Sequence, residues 1–118
     1  MAYLLLIVEP RGQREARSDE EGRQAYARMM AFGADLKERG LLLASHSLRP
    51  DVHGVRVQKR DGKSSLKDGP FAETKEMIGG FFLLECAGRD QALSIAAECP
   101  AAEFATVEVR ETGPCFEN

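Results

Sequence analysis

The sequence predicts an α+β domain in which a β-sheet is covered by two helices, and three observations support that fold class. Short apolar runs between turn residues are typical of buried strands, and two longer segments place apolar residues at helical spacing. These segments follow one another in the order β-α-β-β-β-α-β, an elaborated split βαβ sandwich with an extra hairpin. Because 118 residues correspond to one domain, we expect residues 1–118 to form a single domain.

The first strand and the first helix have clear boundaries in the sequence. Residues 2–8 are apolar and precede Glu9-Pro10 and a charged loop, which predicts a buried strand. A helix follows, and either Ser18 or Asp19 can cap its first turn. Arg39-Gly40 ends this helix, because a basic last turn and a following glycine are typical helix stops.

The remainder of the chain alternates strand signals with one more helix. Asp61-Gly62 is a hairpin turn signal between two of the strands. The second helix begins at Gly88 or Asp90, and Pro100 ends it. The strand patterns lie at residues 41–48, 55–59, 64–66, 81–86 and 105–110.

Three of the predicted strands are apolar on both faces. Residues 4–7, 41–44 and 81–84 are apolar at consecutive positions, and successive side chains of a strand point to opposite faces. Two helices cover one face, so something else must cover the other. We expect a homodimer, the commonest oligomer; a ligand cavity or a covering loop is the alternative.

Composition and charge exclude several classes of function. A net charge of -3 argues against a general nucleic-acid binder, which is usually basic. No apolar run reaches the length of about 20 residues that spans a bilayer, and no secretory signal precedes the first strand. Cys86, Cys99 and Cys115 form no CxxC motif and indicate reduced thiols in the cytoplasm. The histidines and cysteines lack metal-ligand spacing, so we expect no metal and no cofactor.

Residues 68–80, with the sequence DGPFAETKEMIGG, combine turn formers, one aromatic residue and four ionisable side chains, and they are the most informative segment of the chain. Asp accepts hydrogen bonds from nearby backbone, glycine tolerates unusual dihedral angles and proline fixes φ. The segment therefore predicts a rigid turn, either as a functional loop or as a solvated connection between strands.

The same segment resembles the signature of the YCII-related, or DGPF-domain, family. Residues 3–7 resemble the family's first strand, and residues 79–82 the strand after the signature. Residues 96–100 resemble the end of its second helix, and residues 107–110 its last strand. The resemblance implies a ferredoxin-like α+β fold that assembles as a dimeric α/β barrel.

The resemblance also bears on function. Smaller members of the family resemble enzymes with a His-Asp pair whose histidine lies in the first helix. Residues 23–28, RQAYAR, contain no histidine, so this pair is not carried over. Relatives in the wider superfamily resemble isomerases and dehydrochlorinases of small ring compounds, which implies proton-transfer chemistry.

His46 and Asp68 are the candidate catalytic residues. His46 lies at the end of the second predicted strand and could act as a general base, because the reference pKa of histidine is about 6.5. The alternative is a partly buried histidine held by a hydrogen bond. Asp68 could accept a proton or orient His46; alternatively, it binds the backbone of its own turn.

Three further residues are candidates for substrate binding. Arg110 suits an anionic group and would line a polar pocket with His46 and Asp68 near the dimer interface, with Glu73 or Lys75 at its rim. Two functions remain open: an enzyme performing isomerase- or lyase-like acid–base chemistry on a small anionic molecule, or a non-catalytic dimeric ligand- or protein-binding module in a stress or regulatory setting. A cleft that joins His46 and Asp68 would favour the enzyme.

Overall fold

A computed structural model describes residues 1–118 as six strands, three helices and two 3₁₀ turns. No helix combines the length and the apolarity that crossing a bilayer requires. The strands are β1 (Ala2–Pro10), β2 (Leu42–Ser47), β3 (Val55–Arg60), β4 (Lys63–Asp68), β5 (Glu76–Glu85) and β6 (Thr106–Glu111), the helices are α1 (Gln13–Ala16), α2 (Asp19–Glu38) and α3 (Arg89–Glu98), and the 3₁₀ turns are Asp51–His53 and Pro100–Glu103.

Four strands form an antiparallel sheet in the order β2-β5-β1-β6. The strands β3 and β4 form a separate two-stranded sheet. Helices α2 and α3 follow β1 and β5, the two central strands, and pack on the sheet. This mixed α+β arrangement is compatible with the predicted ferredoxin-like fold and includes the predicted extra hairpin.

Helix α2 begins where a capping box satisfies its first backbone N–H groups. The Ser18 hydroxyl accepts from the Glu21 backbone N–H, and the Glu21 carboxylate accepts from the Ser18 N–H. Of the two predicted caps, Ser18 therefore has this role. Gly40 follows the helix with a φ of 73°, a conformation that glycine adopts without steric cost.

The hydrophobic core lies between the helices and one face of the sheet. Leu5 of β1 and Leu84 of β5 are fully buried against Leu36 of α2. The ring of Phe32 meets the ring of Phe82 edge-on, with centroids 5.1 Å apart. The core therefore takes alternate residues of each strand, as the pleat of a sheet requires.

The opposite face of the sheet is uncovered. Leu4, Leu6 and Val8 alternate with the core residues and are only half-buried. Leu4 pairs with Leu83, and Leu6 pairs with Phe81, so these apolar side chains share the uncovered face. The molecule is 20 Å thick, the depth of about one helix layer on one sheet.

Two strand boundaries sharpen the sequence interpretation. The β3–β4 hairpin turns at Asp61-Gly62, both with positive φ, which confirms the predicted turn. Strand β5 begins at Glu76, five residues before the predicted start at 81. A bulge at Gly79 separates the pairs Ile7–Gly80 and Val8–Ile78, so the glycine pair lies inside the strand.

Candidate functional site

The signature segment is held to the end of β1 by one arginine. Arg11 donates from Nη1 and Nη2 to the two carboxylate oxygens of Asp51, at 3.1 and 2.5 Å. It also donates to the backbone carbonyls of Phe71 and Thr74, at 3.1 and 2.8 Å. The Arg11 guanidinium holds the pKa of Asp51 below its usual range. This network fixes the signature loop against β1 and the first 3₁₀ turn.

Asp51, rather than Asp68, binds the backbone of the signature turn. Its Oδ2 accepts from the Phe71 N–H at 3.2 Å. The Asp68 side chain is exposed at the end of β4, whereas the Asp51 carboxylate contacts the turn that follows it. A Cβ on Gly69 would lie 1.8 Å from the Asp51 carbonyl oxygen. Glycine is therefore required here by a close backbone approach.

Glu73 joins the signature loop to the base of the hairpin. Its carboxylate pairs with Arg56 at 3.1 Å and with Lys67 at 3.2 Å. A hydrogen bond from its own backbone N–H and one from Lys67 lower the pKa of Glu73. The Arg56 guanidinium also lies over the Phe71 ring, 3.7 Å from its centroid. These contacts orient the hairpin relative to the loop.

Lys75 and Arg110 lie on different parts of the surface. The exposed Lys75 uses its backbone carbonyl to accept from the Arg11 N–H at 2.9 Å. Arg110 lies on β6, at the opposite edge of the sheet from β2, and its Nε is 3.7 Å from Glu108. Within one chain, the structure does not bring Asp68, Arg110 and His46 into a shared pocket. Their predicted roles stay untested predictions.

A large cleft lies on the helix-covered face, between α2 and the sheet. Its volume is about 690 Å³, within the usual range of about 300–1,000 Å³ for small-molecule sites. The backbones of Gly79 and Gly80 border it, so the signature segment ends at this cleft. Most of its other lining residues come from helix α2, strand β2 and the chain before β6, and they include Tyr26, Met29, Met30, Gly33, Ser45 and Phe104.

A buried ion pair lies in this cleft. Glu9 is only 7% exposed, and its Oε1 lies 2.6 Å from Arg14 Nε. That contact is misaligned for a hydrogen bond, whereas Arg14 Nη2 donates to Glu9 Oε2 at 3.3 Å. Arg14 also donates to the carbonyls of Leu48 and Gly79, at 2.9 and 3.3 Å. The short helix α1 thus places Arg14 beside Glu9, at the end of β1.

The glycine pair makes room for this carboxylate. A Cβ on Gly79 would lie 2.2 Å from Glu9 Oε2, and one on Gly80 would lie 2.9 Å from the His46 carbonyl oxygen. Any larger residue at position 79 would displace Glu9 from its place beside Arg14. The last two residues of the signature segment therefore shape the cleft through their lack of side chains.

His46 contributes to the border between the two faces of the sheet. It lines the cleft, and its ring packs beside Phe81, with centroids 5.9 Å apart. Because His46 pairs with Phe81, and Phe81 pairs with Leu6, its imidazole belongs to the uncovered face. The neighbouring Ser45 and Ser47 alternate toward the helices. The cleft therefore has the hydroxyls of these serines on its helix side and His46 at its border.

Glu9 and Arg14 were not among the residues that the sequence singled out. A signal for Glu9 does exist, because Leu5, Ile7 and Glu9 alternate along β1 on the face that is buried. A carboxylate in phase with core residues needs a partner. No sequence signal names that partner, because Arg14 reaches Glu9 only through the turn and helix α1 that follow β1. No three histidine, cysteine or carboxylate residues cluster as metal ligands would.

Comparison with known proteins places the chain in a family. The family model of the YCII-related domain matches residues 1–114. The chain is 32% identical over 106 residues to an uncharacterized protein of Rhizobium meliloti (strain 1021), a match that covers 90% of this chain and 86% of that protein. The chain therefore belongs to the YCII-related domain family, which confirms the resemblance carried by its signature.

Proposed function

We propose that this protein is an acid–base enzyme whose cleft binds a small molecule with an apolar body and an anionic group. The observation that carries the proposal is the buried carboxylate of Glu9 in a cleft of about 690 Å³. A buried, positioned carboxylate is a standard general base. We propose Glu9 in place of the predicted pair of His46 and Asp68, because His46 is exposed at the border of the cleft and Asp68 does not line it.

Each part of the cleft supports a step of this chemistry. Met29 and Met30 offer adaptable apolar contacts to the body of the molecule. Arg17, which stacks on the Phe104 ring at 4.7 Å, offers a cation to its anionic group. Glu9 takes a proton from a carbon next to a carbonyl group and returns it to another carbon, while a lining hydroxyl stabilises the oxyanion. The outcome is an isomerisation.

A non-catalytic binding function is the second candidate. Arg14 binds both oxygens of Glu9, which favours a structural ion pair over a free base. In that case the cleft holds a ligand without transforming it. The two candidates share the binding step and differ only in proton transfer, so they require separate tests.

Binding is tested with 1-anilinonaphthalene-8-sulfonate, a fluorescent probe with an apolar body and an anionic group. Ala25 lines the cleft, whereas Ala27 on the same helix is exposed and does not. We expect Ala25→Phe to fill the cleft and weaken probe binding at least about tenfold, with Ala27→Phe unchanged. Equal affinity in both variants would contradict binding in the cleft.

Proton transfer is tested by deuterium exchange into a panel of small aromatic keto acids and unsaturated ketones in D₂O, followed by proton NMR. Glu9→Gln keeps the size of the side chain but removes the base. We expect its exchange rate to fall at least about 100-fold, in line with the usual contribution of a general base. Glu15→Gln on α1, which is exposed, is the matched control. If Glu9→Gln binds the probe and the wild type catalyses no exchange, the binding function is correct.

We further propose that the functional unit is a homodimer formed on the uncovered sheet face. The chain exposes 8180 Å², about 1,800 Å² more than a compact monomer of 13.0 kDa exposes. Its radius of gyration of 16.1 Å exceeds the value of about 13.5 Å for a compact domain of this length. A stable interface needs about 800 Å² per partner, so the excess surface suffices.

A further inference from the structure

Both strands of the β3–β4 hairpin are open to solvent along their length, and the only contacts from their own chain are at the base. Every residue of both strands is exposed, and the two strands pair only with each other. An isolated two-stranded ribbon is marginally stable in water at best. The hairpin therefore needs a surface to pack against.

The hairpin has two different sides. Strand alternation and the pairs Val57–Leu66 and Val55–Asp68 place three apolar residues on one side. Val55, Val57 and Leu66 are 52%, 66% and 70% exposed. The other side carries Arg56, Arg60, Lys63 and Lys67, whereas Lys59 and Asp68 flank the three apolar residues on their own side. An apolar side of this kind on a protruding ribbon marks a contact surface.

The signature loop holds the basic side of the hairpin at its base. Arg56 stacks on Phe71, and both Arg56 and Lys67 pair with Glu73. These contacts use the side opposite to Val57 and Leu66. The loop thus fixes the direction of the hairpin and leaves its apolar side free for a partner.

Charge indicates which partner fits. Residues 55–68 carry five basic and two acidic residues, a net charge of +3, whereas the whole chain carries -3. The rest of the chain therefore carries -6. A ribbon of this charge is attracted to the body of a second copy of the same chain, and such complementarity orients association.

We propose that the β3–β4 hairpin is a dimerisation arm whose apolar side packs on the body of the second copy. The inference rests on the proposed homodimer and adds a contact surface outside the main sheet. The hairpin supplies part of the excess exposed surface, and its packing removes Val55, Val57 and Leu66 from water. The signature segment then has an assembly role, because Glu73 and Phe71 aim the arm.

Hydrogen–deuterium exchange of the wild-type protein tests the arm without any substitution. We expect the amides of residues 55–68 to become at least about tenfold more protected as the concentration rises through the dimer dissociation constant. Protection that is independent of concentration while the dimer forms would overturn the proposal. Protection that appears only on addition of a DNA duplex would assign the ribbon to nucleic acid and would also overturn it.

Paired variants separate the arm from the sheet interface. Val57→Ser with Leu66→Ser removes most of the apolar side, and Gln58→Ser with Ser65→Ala alters the adjacent residue pair, which faces the opposite side. By analytical ultracentrifugation, we expect only the first pair to raise the dimer dissociation constant, by at least about tenfold. If Leu6→Lys on the sheet face dissociates the dimer and the first pair does not, the homodimer stands and the arm is wrong. If the wild-type protein is still a monomer at roughly 100 μM, the dimer is too weak to be functional, and both the homodimer and the dimerisation arm are wrong.

Discussion

The two faces of the main sheet carry similar residues and have different surroundings. On the covered face, Leu5 and Leu84 are fully buried beneath helices. The preceding residue of each strand, Leu4 on β1 and Leu83 on β5, is also a leucine but lies half-buried on the other face. The difference lies in what each face packs against, since the apolar character of the side chains is the same.

The difference in surroundings indicates a different role for each face of the sheet. The covered face contains the core and, at one end, the cleft with Glu9 and Arg14. The uncovered face carries apolar side chains that the proposed homodimer would bury. Under that proposal, adjacent residues of one strand serve stability and assembly separately, and paired substitutions can distinguish the two.

The largest effect is expected on the covered face. Leu84→Ala removes a fully buried side chain and leaves a cavity, which typically costs about 2–5 kcal/mol of unfolding free energy. The loss should be the same at every protein concentration, because the contacts of Leu84 lie within one chain. Urea denaturation at 1 and 100 μM, roughly two decades apart, measures it. A concentration-dependent loss would contradict the assignment of the covered face.

Gly79→Ala tests the end of the covered face that forms the cleft. The new Cβ would displace the Glu9 carboxylate, and we expect a cost of about 1–3 kcal/mol together with weaker probe binding. Gly22→Ala on α2 meets nothing within 4 Å and should stabilise the protein by up to about 1 kcal/mol. We therefore expect the urea midpoint to fall in Gly79→Ala and to rise in Gly22→Ala, each relative to the wild type. A neutral Gly79→Ala would mean that Glu9 does not depend on the glycine.

Leu83→Ala is the counterpart of Leu84→Ala on the uncovered face. We expect a loss of about 1 kcal/mol or less for the monomer, because Leu83 is only half-buried within one chain. At high concentration the loss should grow, since the variant also weakens the dimer. The same two urea titrations provide the measurement, and a loss as large as that of Leu84→Ala at both concentrations would contradict an open face.

The smallest effect concerns the pH dependence of the signature loop. The Arg11 ion pair lowers the pKa of Asp51 in the folded state, so this pair contributes stability above the unfolded value of about 4. That contribution is lost as pH falls through the folded pKa. We expect Asp51→Asn to lower the urea midpoint at pH 7 and to converge with the wild type toward pH 3. Asp61→Asn at the exposed hairpin tip should run parallel to the wild type throughout.

Local signals predicted the fold well. The strand periodicities, the Ser18 cap and the Asp61-Gly62 turn depend on neighbouring residues, and the structure confirms them. The start of β5 was missed because Gly79-Gly80 resembles a strand end, whereas the bulge accommodates it. The periodicity of β5 cannot show that Gly79 leaves room for the carboxylate of Glu9, because Glu9 lies on β1.

The candidate site was less predictable because distant segments build it. The Asp51 carboxylate accepts a hydrogen bond from the backbone N–H of Phe71, which lies 20 residues further along the chain. The sequence rule that an Asp before glycine binds its own turn considers only neighbouring residues, so it indicated Asp68 instead. His46 and Glu9 both line the cleft, but the sequence indicated only His46, because Glu9 lies on a different strand and its partner Arg14 lies beyond that strand. Polar residue type alone could not indicate which face each side chain takes.

The central claim is that the covered face binds a small molecule at Glu9 while the uncovered face serves assembly. Its most direct test is a titration of ¹⁵N-labelled protein with 1-anilinonaphthalene-8-sulfonate, followed by amide chemical shifts. We predict saturable shifts at Glu9, Ser45, Gly79 and Gly80, with Leu83 unaffected. Shifts confined to the uncovered face or the hairpin, or no saturable shifts at all, would contradict the claim.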